Sequence, residues 1–445
     1  MSLPRYPEYK DSGVEWLGAI PGHWEVRKFR HSFSESSEKI EGEVVGPMLS
    51  VSGYRGIEVK DYDDENRRRT DQELQGYRIV RHGQLVVNTM WLNYAGLGVS
   101  AHEGHVSPAY RAYWICADLE PRFVHHMMRC GEFVKGYSKF LTGVRPNSLQ
   151  MSREDLMEFR LAEPSRPEQV AIAKFLDRET ARIDALIAEQ EKLLALLAEK
   201  RLATISHAVT RGLDPNVPMK DSGIPWLGEV PAHWEVMQLR NIARIVRGAS
   251  PRPAGDPKFF ANDDGQGSVP WLTVAEITKD ESLYVDEVRE YLTALGAEHS
   301  QRFEKGTVVF SNSGATLGVP KILGIDCCAN DGVLAFRELS PHVDPEYLYC
   351  FLLTTTQRLR TEMKQGGGQP NLNTDIVKGI GFACPPTDEQ SEIVAFLHGK
   401  FRQFESLKHA AEQSVALLSE RRSALISAAV TGKVDVRGMV EVEAM

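Results

Sequence analysis

The feature that most constrains this chain is that it repeats itself. Residues 10–30, KDSGVEWLGAIPGHWEVRKFR, return at 220–240 as KDSGIPWLGEVPAHWEVMQLR, with 13 of 21 positions identical. The identities include Trp16/Trp226, Pro21/Pro231, His23/His233, Trp24/Trp234 and Glu25/Glu235. A second pair opens as PSRPEQVAIAKFLD at residue 164 and as PPTDEQSEIVAFLH at residue 385. It matches Glu168/Glu389, Gln169/Gln390, Phe175/Phe396, Leu176/Leu397 and Leu197/Leu418, and closes on Ala208-Val209-Thr210 and Ala429-Val430-Thr431. The offset rises from 210 to 221, so the stretch between the two landmarks is 11 residues longer in the second half. That stretch has diverged, apart from Arg145-Pro146-Asn147 against Gln369-Pro370-Asn371. A chain of 445 residues exceeds one ordinary core. The repeat divides it into a head (1–163), a helix (164–213), a second head (214–384), a second helix (385–434) and a tail (435–445).

The closing segment of each half reads as a long helix. Ser165-x-x-Glu168 and Thr387-x-x-Gln390 have the spacing of capping boxes, Pro167 falls in the first turn, and Gly212 and Gly432 supply stops. No proline interrupts either run of roughly 45 residues, about 65 Å of helix. Leu397, Phe404, Ala411, Leu418 and Leu425 recur at every seventh position, with Phe401, Leu407 and Val415 on the same stripe. The first run carries Leu176, Ile183 and Leu197 on that phase, plus Ile172, Leu186, Leu193 and Leu194, with Gln190 and Thr204 as polar interruptions. Such stripes are coiled-coil seams, and each needs an apolar partner of equal length. An intrachain antiparallel pair is therefore expected. Residues 165–212 hold 8 basic and 7 acidic residues and 386–433 hold 6 of each, so the helices are spacers rather than phosphate-binding surfaces.

The heads read as strands and loops. Short β-branched runs such as Gln84–Asn88, Val269–Val274 and Gly306–Ser311 alternate with Gly-, Asn- and Pro-rich segments. The loops at 248–268 and 364–374 are long enough to suggest function. Several loops carry side chains suited to phosphates and base edges, where Arg reads guanine, Asn and Gln read adenine, and Ser or Thr serves either. The candidates are Arg67, Arg68, Arg69, Asn88, Arg145 and Asn147 in the first head. In the second they are Arg247, Ser250, Arg252, Asn312, Ser313, Thr316, Gln365, Gln369 and Asn371. Each alone also suits a turn; it is their clustering that points to nucleic acid.

Chemistry of other kinds finds no support. There is no GxxxxGK[ST] loop, no GxGxxG and no HExxH, and His102-Glu103-Gly104-His105 has the wrong spacing for zinc. The adenine-methyltransferase tetrapeptides DPPY and NPPY are missing. Six cysteines at 116, 130, 327, 328, 350 and 384 form no CxxC and suit a reduced compartment. A net charge of −9 excludes a polycationic nucleic-acid coat. The heads and flanks alone carry −10, which leaves room only for local basic patches. Without an apolar segment of membrane length or a secretory leader, a cytoplasmic location is expected.

The twice-used KDSG-x-x-WLG-x-x-P-x-HWEV opener, the [RQ]PN segment and the EQ-x-x-I-x-x-FL helix entry resemble the specificity subunits of Type I restriction-modification systems. The resemblance covers nearly the whole chain. It departs in the first half, which reads Pro164-Ser165-Arg166-Pro167 in place of adjacent prolines and Thr142-Gly143-Val144-Arg145-Pro146-Asn147 in place of GGGQPN. It implies an α+β fold with two mixed α/β target recognition domains in a pseudo-twofold arrangement, joined by the antiparallel coiled coil. Each domain would read one half of a bipartite, asymmetric double-stranded DNA target, and the coil would set the gap. The resemblance further implies a chain with no catalytic residues, metal or cofactor of its own. Two methyltransferase subunits would supply S-adenosylmethionine, and restriction/translocase subunits ATP and magnesium. A coiled-coil assembly scaffold, a stand-alone DNA-binding regulator and a self-contained enzyme are the competing readings.

Overall fold

A computed structural model describes residues 3–53, 55–61, 70–143, 149–261, 265, 267–312, 316–361 and 372–439. The chain forms two compact units: residues 1–191 with 412–445, and residues 192–411. Each unit is α+β and is built on the same plan.

The repeated opener has a physical reason in both units. Asp11 Oδ1 accepts the Gly13 N–H at 3.0 Å, and Asp221 Oδ1 accepts that of Gly223 at 3.0 Å. Both glycines take positive φ, 65° and 72°, a conformation that favours glycine. The turn closes a short antiparallel hairpin, Tyr9–Asp11 with Ala19–Pro21, and Met219–Asp221 with Glu229–Pro231. Next comes a strand that pairs with the residues leading into the long helix: Glu25–Lys28 with Arg160–Glu163, and Glu235–Gln238 with Gly381–Cys384. The two repeated landmarks are thus neighbours in space within each unit.

The two long helices run Arg166–Arg211 (46 residues) and Thr387–Val430 (44 residues). Within the first unit Arg422 grips Asp184 at 2.8 and 3.2 Å. Within the second, the Arg201 guanidinium lies 4.8 Å over the Phe401 ring. Numbers rise along one helix as they fall along the other, so the pair is antiparallel. Each unit's core also takes in helix ends. Ile172, Phe175 and Leu176 join Ala429 and Val430 in one, and Ile205 and Val209 join Ile393 and Leu397 in the other. Gly212 and Gly432 end the helices at φ 74° and 71°.

The helix entries differ from the capping-box expectation. Glu168 does not reach back to Ser165. Its buried carboxylate accepts from the Tyr6 hydroxyl at 2.6 Å and from Trp24 Nε1 at 3.0 Å, and lies 2.8 Å from His23 Nε2. Glu389 receives Trp234 Nε1 at 3.0 Å and sits 2.7 Å from His233 Nε2. Gln169 accepts the Glu120 N–H and donates to the Asp118 and Pro164 carbonyls; Gln390 does the same with Asp344, His342 and Pro385. The EQ pair therefore fastens each helix to its opener and to the body of its head. Trp24 and Trp234 are fully buried, and Trp16 and Trp226 pack partly buried on the same cores.

Of the seam residues, Leu176, Ile183, Leu397, Phe404 and Ala411 are buried, while Leu197, Leu418 and Leu425 are half-buried. Leu186, Leu193 and Leu407, expected on the stripe, face solvent instead, because a two-stranded coil covers only a narrow stripe. Ile187 is buried instead.

Each head contains a sheet of the same strand order. In the first unit its order is Phe33–Glu35, Tyr110–Ile115, Leu85–Asn88, Leu97–Val99, all antiparallel. In the second it is Arg244–Arg247, Val333–Arg337, Val308–Ser311, Pro320–Leu323, extended by Tyr284–Val285 in parallel. The second unit adds a further mixed sheet of five strands around Val269–Leu272. Framework is repeated and elaboration is not.

Candidate nucleic-acid interface

In the second unit the shared sheet brings several candidates to one end. Arg247 closes the first strand, Asn312 follows the central strand, and Asp331 lies in the turn before Val333–Arg337. Gly248 permits the approach, since a Cβ there would fall 2.2 Å from the Asn330 carbonyl. Ser250 donates to Asp331 Oδ1 at 2.6 Å, Arg247 Nε donates to the Asp331 carbonyl, and Arg252 lies 3.6 Å from Asp331 Oδ2. The Ser250 hydrogen bond, with Arg247 and Arg252 nearby, holds the Asp331 carboxyl below its usual range. One guanidinium thus bonds the Asp331 backbone and the other faces its carboxylate, and Arg252 is 73% exposed. The cluster presents a positive charge carried by an orientable arginine, which suits a phosphate or a guanine edge.

Asn312 behaves otherwise. It is fully buried, donates Nδ2 to the Asp331 carbonyl at 3.4 Å, and takes a backbone bond from Leu372 at 2.8 Å. Its Nδ2 and its backbone carbonyl help to hold the loop, while its Oδ1 is buried with no hydrogen-bond partner among the described residues. Thr316 is half-buried, and its carbonyl accepts the Ser311 hydroxyl at 2.8 Å.

The equivalent loop of the first unit follows Leu85–Asn88. Asn88 is buried, and its side-chain oxygen accepts the Met90 N–H at 3.2 Å, so it too shapes a turn instead of facing outward. Behind the loop, Arg129 donates to the carbonyls of Ser52, Gly53, Ala95 and Leu97. Burial, with Arg422 nearby, lowers its pKa to about 10, so it remains charged at neutral pH. His125 beside it is driven down to about 3, by burial first and then by Arg129, and accepts the Val99 N–H as neutral imidazole. Loop residues Met90, Trp91 and Tyr94 are exposed.

One grouping has no signature in the sequence. Glu35 takes hydrogen bonds from Arg111 at 2.7 Å and Arg153 at 2.9 Å, with Arg78 at 3.5 Å. Burial would raise the Glu35 carboxyl, but the Arg153 and Arg111 hydrogen bonds outweigh it and hold it low. Three arginines against one glutamate leave surplus positive charge on the first head. They come from three separate elements, which no spacing rule would connect. Arg67, Arg68, Arg69, Arg145, Asn147, Ser313, Gln365, Gln369 and Asn371 lie outside the described residues.

Among the described residues no group of three or more His, Cys, Asp or Glu side chains is placed to hold a metal, and no helix is long and apolar enough to cross a membrane.

Residues 231–415 match the family model of the Type I restriction modification DNA specificity domain. The chain is 21% identical over 365 residues to the Type I restriction enzyme EcoKI specificity subunit of Escherichia coli K12, spanning 78% of this chain and 73% of that one. It is 22% identical over 327 residues to the putative type I restriction enzyme MjaX specificity subunit of Methanocaldococcus jannaschii, across 72% and 69% of the two chains. Among solved structures, a chain from work on complex assembly and conformational transition of the type I R-M system superposes with a TM-score of 0.72 at 14% identity, covering 92% of this chain and 98% of the other. The HsdS subunit from Thermoanaerobacter tengcongensis follows at 0.51 and 14% identity, covering 93% and 98%.

Proposed function

From the premise that the chain belongs to the Type I restriction-modification specificity subunits, we propose that each of its two units reads one half of a bipartite, asymmetric DNA target. A specificity subunit is the recognition component of its system and not the catalytic one. The observation that carries the finer reading is the repeated framework holding unlike ends. The loop after the central strand is aromatic in one unit, while in the other the matching end is polar and arginine-bearing. A regulator that reads a palindrome needs identical heads, and a mere scaffold needs no diverged loops.

The long helices set the gap between half-sites. Two methyltransferase subunits join this chain and bring S-adenosylmethionine; restriction/translocase subunits join with ATP and magnesium. The overall charge of −9 fits a reader whose partners neutralise much of the DNA backbone. The isolated chain is expected to bind its target weakly, and the methyltransferase assembly tightly and with steep salt dependence. Nanomolar binding by the chain alone at physiological salt would overturn that division of labour. The domain limits that go with this reading are residues 1–163 and 214–384 for recognition, 164–213 and 385–434 for the spacer, and 435–445 for the tail.

A further inference from the structure

We propose that Met90, Trp91 and Tyr94 make an apolar contact to the bases of the DNA half-site read by the first unit. This inference rests on the reading of that unit as a DNA recognition domain. Trp91 is 52% exposed, Tyr94 56% and Met90 39%, and the two rings meet edge to face at 5.8 Å. A single exposed apolar side chain is ordinary, whereas a contiguous cluster marks a contact surface.

The loop is built to hold its shape. The Trp91 N–H bonds the Asn88 carbonyl at 3.0 Å, and the Tyr94 and Gly96 N–H groups bond the Trp91 carbonyl at 2.9 and 2.8 Å. Ala95 takes φ 53°, and a Cβ at Gly96 would fall 2.6 Å from the Trp91 carbonyl oxygen. Gly53 passes equally close to the Tyr94 carbonyl, and half-buried Arg129 ties Ala95 and Leu97 from behind. Side chains presented on a fixed backbone lose little further freedom on binding.

Position and charge point to DNA as the occupant. Residues 88–98, NTMWLNYAGLG, carry no charged side chain in a protein with 61 acidic residues, so nothing on the loop repels phosphate. The loop occupies the same place in the shared sheet as the Asn312 loop of the second unit. Its tether is also the same: Met151 N–H bonds the Thr89 carbonyl, as Leu372 N–H bonds that of Asn312. Two readers of different half-sites would differ at this place, aromatic in one and polar in the other. Aromatic and apolar side chains gain by packing on bases, with little dependence on ionic strength.

The test uses the full chain assembled with its methyltransferase partner and a duplex target defined by methylation mapping. Trp91→Ala and Tyr94→Ala should each weaken binding about 5- to 100-fold, whereas Trp91→Phe retains most of the affinity. The slope of log affinity against log salt should stay unchanged, since no phosphate contact is lost. Selectivity should fall in one half-site only, and thermal midpoints should match wild type because the altered side chains are exposed. Unchanged affinity and selectivity in both alanine variants would overturn the proposal. So would weakened assembly with the methyltransferase in the absence of DNA, which would make the loop a protein-docking surface. A wild-type assembly that fails to discriminate among duplexes would defeat the recognition reading itself, and the contact with it.

Discussion

At the scale of residues, the groups that matter most are buried acids and bases with fixed partners. Glu168 is 4% exposed and serves Tyr6, His23 and Trp24, so Glu168→Ala would strand buried donors. The expected cost is about 3–5 kcal/mol in chemical denaturation. Glu389 is 24% exposed and, among the described residues, serves His233 and Trp234, so Glu389→Ala should cost about 1–2 kcal/mol. Equal losses would mean that the two fastenings are not graded by burial. Lys321 in the second unit is a buried ammonium 2.8 Å from Asp280 Oδ1, bonded also to the Asp280 and Ser282 carbonyls. Its hydrogen bond, reinforced by Ser282, holds the Asp280 carboxyl far below the usual range. A depressed carboxyl stabilises the fold above its unfolded pKa, about 3.9, and that contribution is lost as pH falls toward the folded value. Acid unfolding of Asp280→Asn should therefore show a shallower decline below about pH 4 than wild type. A decline of equal slope would contradict the pairing. These partners were illegible in the sequence. EQ at a helix start reads as a local cap, and only the fold shows that its carboxylate faces Trp24, 144 residues earlier.

At the scale of elements, the long helices were legible because heptad periodicity and glycine stops are local signals. Which leucines would be covered was not, since the seam width depends on how many helices meet. Leu186, Leu193 and Leu407 carry the right residue type on a face that one partner helix does not reach. If the helices act as the spacer, deleting seven residues from each shortens it by about 10 Å. The methylated target should then keep both half-sites while its gap contracts by about three base pairs. An unchanged gap would remove the helices from the role of ruler. The loops at the sheet ends follow a different logic. Their composition announced polarity and turns, yet Asn88 and Asn312 are buried, with Asn88 Oδ1 and Asn312 Nδ2 bonded to the backbone. Meanwhile Trp91 and Tyr94, large rings in the same stretch, are exposed.

At the scale of the whole chain, the repeat has a consequence for the termini. In the second unit the first long helix ends at Gly212 and the chain continues directly into the opener hairpin at Met219. In the first unit the second long helix ends at Gly432, packed on Pro21 and Trp24, and Asp435 N–H bonds the Pro4 carbonyl at 2.8 Å. The two ends thus meet where the other unit has a continuous chain. A permutant that joins the termini through a short linker and opens between Leu213 and Val217 should fold with stability within about 1 kcal/mol of the parent and direct the same methylation. Failure to fold would show that the Gly212 connection does more than link. The recurrence of opener hairpin and long helix was readable because duplicated landmarks need no structure to be aligned. The specific surface of each head was not, because it is assembled from elements distant in sequence, as Arg78, Arg111 and Arg153 around Glu35 show.

The central claim is that one chain holds two dissimilar readers a set distance apart. Adenine-methylation mapping, in cells that express the methyltransferase with and without this chain, tests it most directly. The account predicts methylation that depends on the chain, at a target of two unlike half-sites separated by a constant unread gap. A continuous or palindromic target, or methylation that persists without the chain, would contradict it.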